Sequence, residues 1–146
     1  MNLPTHASLH PTSRARPHAR LAYRCCLLLL CAAYLQGGLE KAFDFPAALA
    51  EMHHFGLAPA GPLALLTIAG ELGASFMVIA GAWRWLGALW LALFTFAANF
   101  VANRFWALEG MARTMAENGF FEHLGLVGGF LLVAWLDRIG FDRDIH

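Results

Sequence analysis

Charge is what this chain has least of. Of its 146 residues only 14% are Asp, Glu, Lys or Arg, while 59% are hydrophobic, and the mean hydropathy is +0.55. A water-soluble domain of this length could not cover its surface with so few charges, so the composition points to a membrane protein in contact with the lipid bilayer. Formal net charge is zero at pH 7, which gives no electrostatic footprint for a nucleic-acid partner. Cysteine is scarce as well. Cys25, Cys26 and Cys31 share one apolar run without a Cys-x-x-Cys, which supports neither a disulfide scaffold nor a dithiol centre. Gly-rich phosphate loops and nucleophile elbows are missing. A membrane haem needs His ligands from facing helices, and His123 is the one histidine inside an apolar stretch. The chain therefore displays no cofactor site, metal site or catalytic motif of its own, and no catalytic residue is assigned.

What is present is long apolar runs. Four stretches, 21–39, 60–82, 85–103 and 120–136, approach or exceed the roughly 17–25 residues that a helix needs to cross a bilayer. The expected fold is all-α, an integral membrane four-helix bundle. Residues 1–19 read as a disordered basic tail rich in His, Pro and Arg, 20–137 as the four-span domain, and 138–146 as a short tail. With the N-terminus inside, Arg14, Arg16, Arg20, Arg24, Arg84, Arg138 and Arg143 fall in the cytoplasm and only Lys41, Arg104 and Arg113 outside. That asymmetry fits the positive-inside rule and places both termini in the cytoplasm. The run "CCLLLLCAA" also suits a cleaved signal peptide, but it is long for one, and three spans would leave the C-terminus outside. Trp83, Trp85, Trp106 and Trp135 sit at span ends, as an aromatic belt requires.

Each outer loop reads as a short surface helix. In "FDFPAALAEMHHFG", Asp44 suits the cap, Pro46 the first turn and Gly56 the end. In "RFWALEGMARTMAENG", Phe105, Leu108, Met111 and Met115 recur at helical spacing, and Asn118-Gly119 is expected to stop the helix. His53 and His54 are neighbours on a helix, pointing about 100° apart, which suits a helix C-terminus better than a shared metal.

The polar residues inside the spans are few and ordered. Thr67, Glu71 and Ser75 are spaced four apart and line one stripe of the second span; Thr95, Asn99 and Asn103 line one of the third. His123 enters the fourth span, and Glu40-Lys41 end the first. A charge in hydrocarbon costs several kcal/mol unless it faces the interior and finds a partner. The two stripes are therefore expected to face each other, with Thr67, Glu71, Asn99, Asn103, His123 and Lys41 around a polar, ligand-binding cavity in the outer half of the bundle, opening away from the cytoplasm. Gly70, Ala74, Gly125 and Gly129 would permit close packing there. Interhelical glue is the plain alternative for the Asn and Thr residues.

These features resemble the DoxX family of small four-helix membrane proteins. The likeness spans residues 21–136 and rests on "GGLEKAFDF" leaving the first helix, "GELGASFMVIAGAWRWLGAL" with its intramembrane Glu, and "FFEHLGLVGGFLLVA" opening the last. The resemblance implies a four-helix bundle in the bacterial cytoplasmic (inner) membrane, loosely associated with redox-complex subunits that use quinones or oxidise sulfur compounds. The position of His123 looks like Asn in relatives. A redox-associated or quinone-interacting subunit, served by a diffusible quinone, is the favoured expectation. A small-solute transporter and a scaffold without a ligand remain as alternatives.

Overall fold

The computed structural model describes residues 17–140. Residues 1–16 and 141–146, which hold most of the expected tails, lie outside the described residues. The elements are α1 (Pro17–Phe43), α2 (Phe45–His54), α3 (Ala60–Ala80), α4 (Arg84–Ala102), a single 3-10 turn (Phe105–Ala107) and α5 (Gly110–Arg138). Four of them, α1, α3, α4 and α5, are long and apolar enough to cross a membrane. The described residues are otherwise turns and short connections, so the all-α four-span architecture stands. α1 begins at Pro17, two residues before the expected end of the tail, with proline at the position where its missing N–H costs nothing.

The long helices form a ring in which α3 lies between α1 and α4, α5 packs on α4, and α5 closes loosely on α1. Both described chain ends share one end of the bundle, here the near end; α2 caps the far end. The core runs through Leu27, Cys31, Tyr34, Val78, Leu91 and Phe130. A smaller cluster of Ala48, Met52 and Ala64 seals α2 onto α3. Leu29, Leu65, Phe76 and Leu93 point outward, as lipid contact demands. Cys25 and Cys26 are also exposed, whereas Cys31 is buried in the core.

α2 forms as its sequence requires. The Asp44 carboxylate accepts from the Ala47 amide at 3.1 Å, Pro46 occupies the first turn, and Gly56 takes the left-handed conformation after the end. The second expected surface helix does not stand alone. α5 runs unbroken through Asn118-Gly119 from Gly110 to Arg138. Gly119 is not a stop but a point of close approach: a Cβ there would lie 3.0 Å from Asn103 Oδ1. An interior glycine costs only about 1 kcal/mol of helix propensity, less than continuous backbone hydrogen bonding in the membrane returns. At about 1.5 Å per residue, the 29 residues of α5 exceed a hydrocarbon core of roughly 30 Å. Its first turns, with Met111 76% and Met115 68% exposed, project beyond the bundle.

Polar fastenings cross-link the near end. Arg84, 3% exposed, donates from Nε to the Val78 carbonyl at 2.8 Å and lies 5.4 Å from the centre of the Tyr23 ring. It satisfies one of the carbonyls that the end of α3 leaves unpaired, where a cation is also favoured. Asp137 accepts from the Trp85 amide at 3.0 Å, capping α4 from another helix. Arg138 stacks over Trp85 at 4.7 Å. The connecting turn is tight, with Gly81 and Trp83 both at positive φ. The close-packing glycines are only partly those expected. Gly70 receives the Trp90 indole and Gly129 the Leu30 side chain, but a Cβ on Gly125 would meet nothing within 4 Å.

Candidate functional site: a polar pole in an apolar cavity

Where α1 passes α3, two consecutive glycines allow close approach. A Cβ on Gly38 would lie 2.8 Å from Leu72 Cδ2 and 3.3 Å from Glu71 Cβ; one on Gly37 would lie 3.4 Å from Lys41 Nζ and 3.7 Å from Glu71 Oε2. The last turn of α1 thereby delivers Lys41 to Glu71, with Nζ 3.6 Å from Oε2. The same ammonium lies 3.7 Å from Glu51 Oε2 on α2. One cation thus ties three helices. The two contacts are unequal despite their similar lengths. Glu51 keeps 42% of its side chain exposed, so solvent screens that pair to about 1 kcal/mol or less. The Glu71 side chain is 9% exposed, and its pairing decides whether a buried charge is compensated. At 3.6 Å the contact is ionic and too long for a hydrogen bond; Oε2 has no hydrogen-bond partner among the described residues.

Tyr34 lies two turns before Lys41, on the same face of α1. Its hydroxyl bonds Thr95 Oγ1, and Thr95 in turn bonds the Leu91 carbonyl at 2.6 Å. A carbonyl only accepts, so the single Thr95 proton points to Leu91 and Tyr34 must donate to Thr95. His123 Nδ1 lies 2.6 Å from the Gly119 carbonyl. The same logic puts a proton on Nδ1 and leaves Nε2 of the neutral ring as an acceptor.

A cavity of about 520 Å³ joins these groups. Lys41, Glu51, Thr67, Glu71, Tyr34 and His123 all border it, while Met52, Phe55 and Leu57 close it beneath α2. Most of the remaining wall is apolar, including Leu63, Leu66, Leu93, Ala97 and Val101. Of the six residues expected around a polar cavity, Lys41, Thr67, Glu71 and His123 are brought together. Asn99 and Asn103 stand apart. Asn99 Nδ2 donates to the Phe120 carbonyl at 2.9 Å, and Asn103 Nδ2 donates to Asn99 Oδ1 at 2.8 Å. The Asn99 amide holds α4 against α5, and Asn103 braces it from the end of α4. The expected facing of the two stripes is corrected in the same way: Glu71 turns to α1 and Asn99 to α5, because each found its partner on the flanking helix. Ser75, at the foot of the α3 stripe, is fully buried beside Cys31.

Sequence reasoning passed over Tyr34 and Glu51. The spacing of Tyr34 from Lys41 was available as a signal; Glu51 depends on how α2 docks, for which the sequence offers none. Among the described residues, no three His, Cys, Asp or Glu side chains gather as a metal site requires.

Comparison with known proteins adds one finding. No curated protein and no solved structure matches the chain. The family model described as DoxX matches residues 20–104, which takes in nearly all of α1, the whole of α2, α3 and α4, and the Lys41–Glu71 pair, and stops short of His123. A match over more than half of the chain, on a bundle of four membrane-length helices, establishes that this protein belongs to the DoxX family.

Proposed function

We propose that this protein is a redox-associated, quinone-interacting subunit of the bacterial cytoplasmic membrane, with the Lys41–Glu71 pole as the place where a ring head group is held. The observation that carries this reading is the buried Glu71 oxygen, which lacks a hydrogen-bond partner at the edge of a largely apolar cavity. A buried polar atom left unsatisfied costs about 1–3 kcal/mol, and an apolar ring bearing a hydroxyl, as the quinol form of a quinone does, would recover that by donating to it. Such a site matches the usual build of small-molecule pockets, apolar walls with a few convergent polar groups. Electrons would come from partner subunits or from the diffusible quinol itself, since the chain carries no redox motif.

The test is direct. Protein extracted in mild detergent under reducing conditions should carry quinol at near-stoichiometric amounts, read by ultraviolet absorbance of the organic extract after oxidation to the quinone. Glu71→Gln preserves shape but replaces the carboxylate acceptor by an amide. It should lower the quinol content at least five-fold while leaving expression unchanged. Wild-type protein free of quinol, and unable to take it up on addition, would end this reading in favour of a transporter or scaffold.

The proposed orientation, both termini cytoplasmic, rests on the placement of Arg20, Arg24, Arg84 and Arg138 at the near end. Reporters fused after Arg84 or at the C-terminus should be active in the cytoplasm, and those near Met52 or Gly110 outside it. A C-terminal reporter on the outer side would overturn the topology.

A further inference from the structure

The cavity is closed above and open at the side. α2 covers its far end through Met52, which is 5% exposed. Along the seam between α3 and α4, by contrast, lining residues are also surface residues: Leu66 is 53%, Leu93 66% and Trp90 37% exposed. The two helices are tight at the near end, where a Cβ on Gly87 would lie 2.7 Å from the Ala74 carbonyl oxygen. Farther out the cavity lies between them, bordered by Leu63 and Leu66 on one side and Leu93 and Ala97 on the other. In a chain whose outer surface meets lipid, that seam is a side entrance from the bilayer, and it leads to Glu71.

The inner wall adds a chemical requirement. Glu71 Oε2 is buried and unpartnered, and as the ionic partner of Lys41 it can only accept. The remaining lone pairs of Tyr34 are acceptors too. Lys41 is a donor, but two carboxylates share it; the Thr67 hydroxyl and the Trp90 indole N–H, seated against Gly70, are further donors. A ligand hydroxyl could donate to Glu71 and accept from Lys41 at once. An ether or carbonyl oxygen in the same place could accept from these donors but, carrying no proton, would leave Glu71 unsatisfied.

We propose that the cavity takes its ligand sideways from the lipid, through the gap between α3 and α4, and recognises it by a hydroxyl that donates to Glu71: a membrane-dissolved phenol or similar hydroxyl-bearing ring. This rests on the ring-binding reading above and deepens it by fixing the route of entry and the polarity of the recognised group.

The experiment uses the full chain in lipid nanodiscs with two probes that differ by one donor, para-nonylphenol and its methyl ether. Binding is followed by quenching of tryptophan fluorescence, with Trp90 at the entrance. The phenol should bind about ten-fold more tightly than the ether, the scale of one unsatisfied buried acceptor, and Glu71→Gln should shrink that ratio. Ala97→Trp, which fills the seam on its exposed side, should weaken phenol binding at least ten-fold and leave thermal stability unchanged; Leu29→Trp, on the outward face of α1 and outside the cavity lining, should not weaken it. Equal binding of phenol and ether would refute the donor requirement while leaving a ring-binding cavity in place. Undiminished binding to a folded Ala97→Trp protein would refute the side entrance. Binding of neither probe by the wild type would overturn this inference, whereas the quinone assay judges the parent reading independently.

Discussion

Lys41→Met should lower the stability of the bundle by about 3 kcal/mol, the scale seen when one partner of a buried ion pair is removed. The loss comes from what stays behind. Glu71 is 7% exposed and has no hydrogen bond to fall back on, so removing the ammonium leaves a carboxylate with neither water nor counter-charge. A second change at Glu71 should therefore rescue the first: Lys41→Met combined with Glu71→Gln should recover most of the deficit, since a neutral amide tolerates the apolar wall better than an unpaired charge. Glu51→Gln alone should matter little, under about 1 kcal/mol, because that carboxylate is well solvated. The measurement is the denaturant or heat midpoint in one detergent, with wild type, Lys41→Met, Glu71→Gln and the double variant closing a double-mutant cycle and Glu51→Gln beside it. If Lys41→Met is neutral, or if the second substitution adds its own damage instead of restoring stability, the pairing at 3.6 Å does not hold Glu71 in place.

Two glycines in membrane-length helices should respond to alanine with opposite signs. Gly87 begins the crossing of α4 over α3, and a Cβ there would meet the Ala74 carbonyl oxygen at 2.7 Å and Met77 Cβ at 2.9 Å. Neither atom can swing aside, since one is backbone and the other is fixed to it. Gly87→Ala must push the helices apart where the core is dense, at a cost of about 1–3 kcal/mol, and Gly87→Val should leave little folded protein. Gly125 is the counterpart. With nothing within 4 Å of its added Cβ, Gly125→Ala gains helix propensity of up to about 1 kcal/mol and should be neutral or stabilising. The fraction of each variant that stays soluble after graded heating in detergent reads both effects. Similar heat resistance of Gly87→Ala and Gly125→Ala would contradict the packing between α3 and α4.

The fold was legible because lipid allows few alternatives. A run such as that of α3, with mean hydropathy 1.9 in its span window, has to be a helix there, and one acid within it has to turn inward. That reasoning singled out Glu71, and its burial agrees. The partner was harder to read. Lys41 belongs to the end of α1, and only the approach allowed by Gly37 and Gly38 brings it to Glu71. Asn99 and Asn103 looked like a cavity wall because a four-residue spacing reveals a face but not its acceptor. For Asn99 that acceptor is the backbone carbonyl of Phe120, which no side-chain pattern can announce, and Asn103 is spent on Asn99 itself. Gly119 misled for a related reason: a glycine that ends a helix and one that admits a neighbouring amide look alike in sequence.

The distribution of fastenings makes the molecule a spring clip. Arg84, Asp137 and Arg138 lock the hinge, where α3 turns into α4 and the end of α5 is stapled across. One jaw, of α1, α2 and α3, is tied together by the ammonium of Lys41 and by α2 resting on Ala64; the other, of α4 and α5, by Asn99 on the Phe120 carbonyl; between them runs the bond from Tyr34 to Thr95. A clip of this kind can widen at its mouth by small rotations about the hinge without unfolding a helix. Thickening or thinning of the surrounding membrane would then act on the grip of the jaws before it reached the hinge.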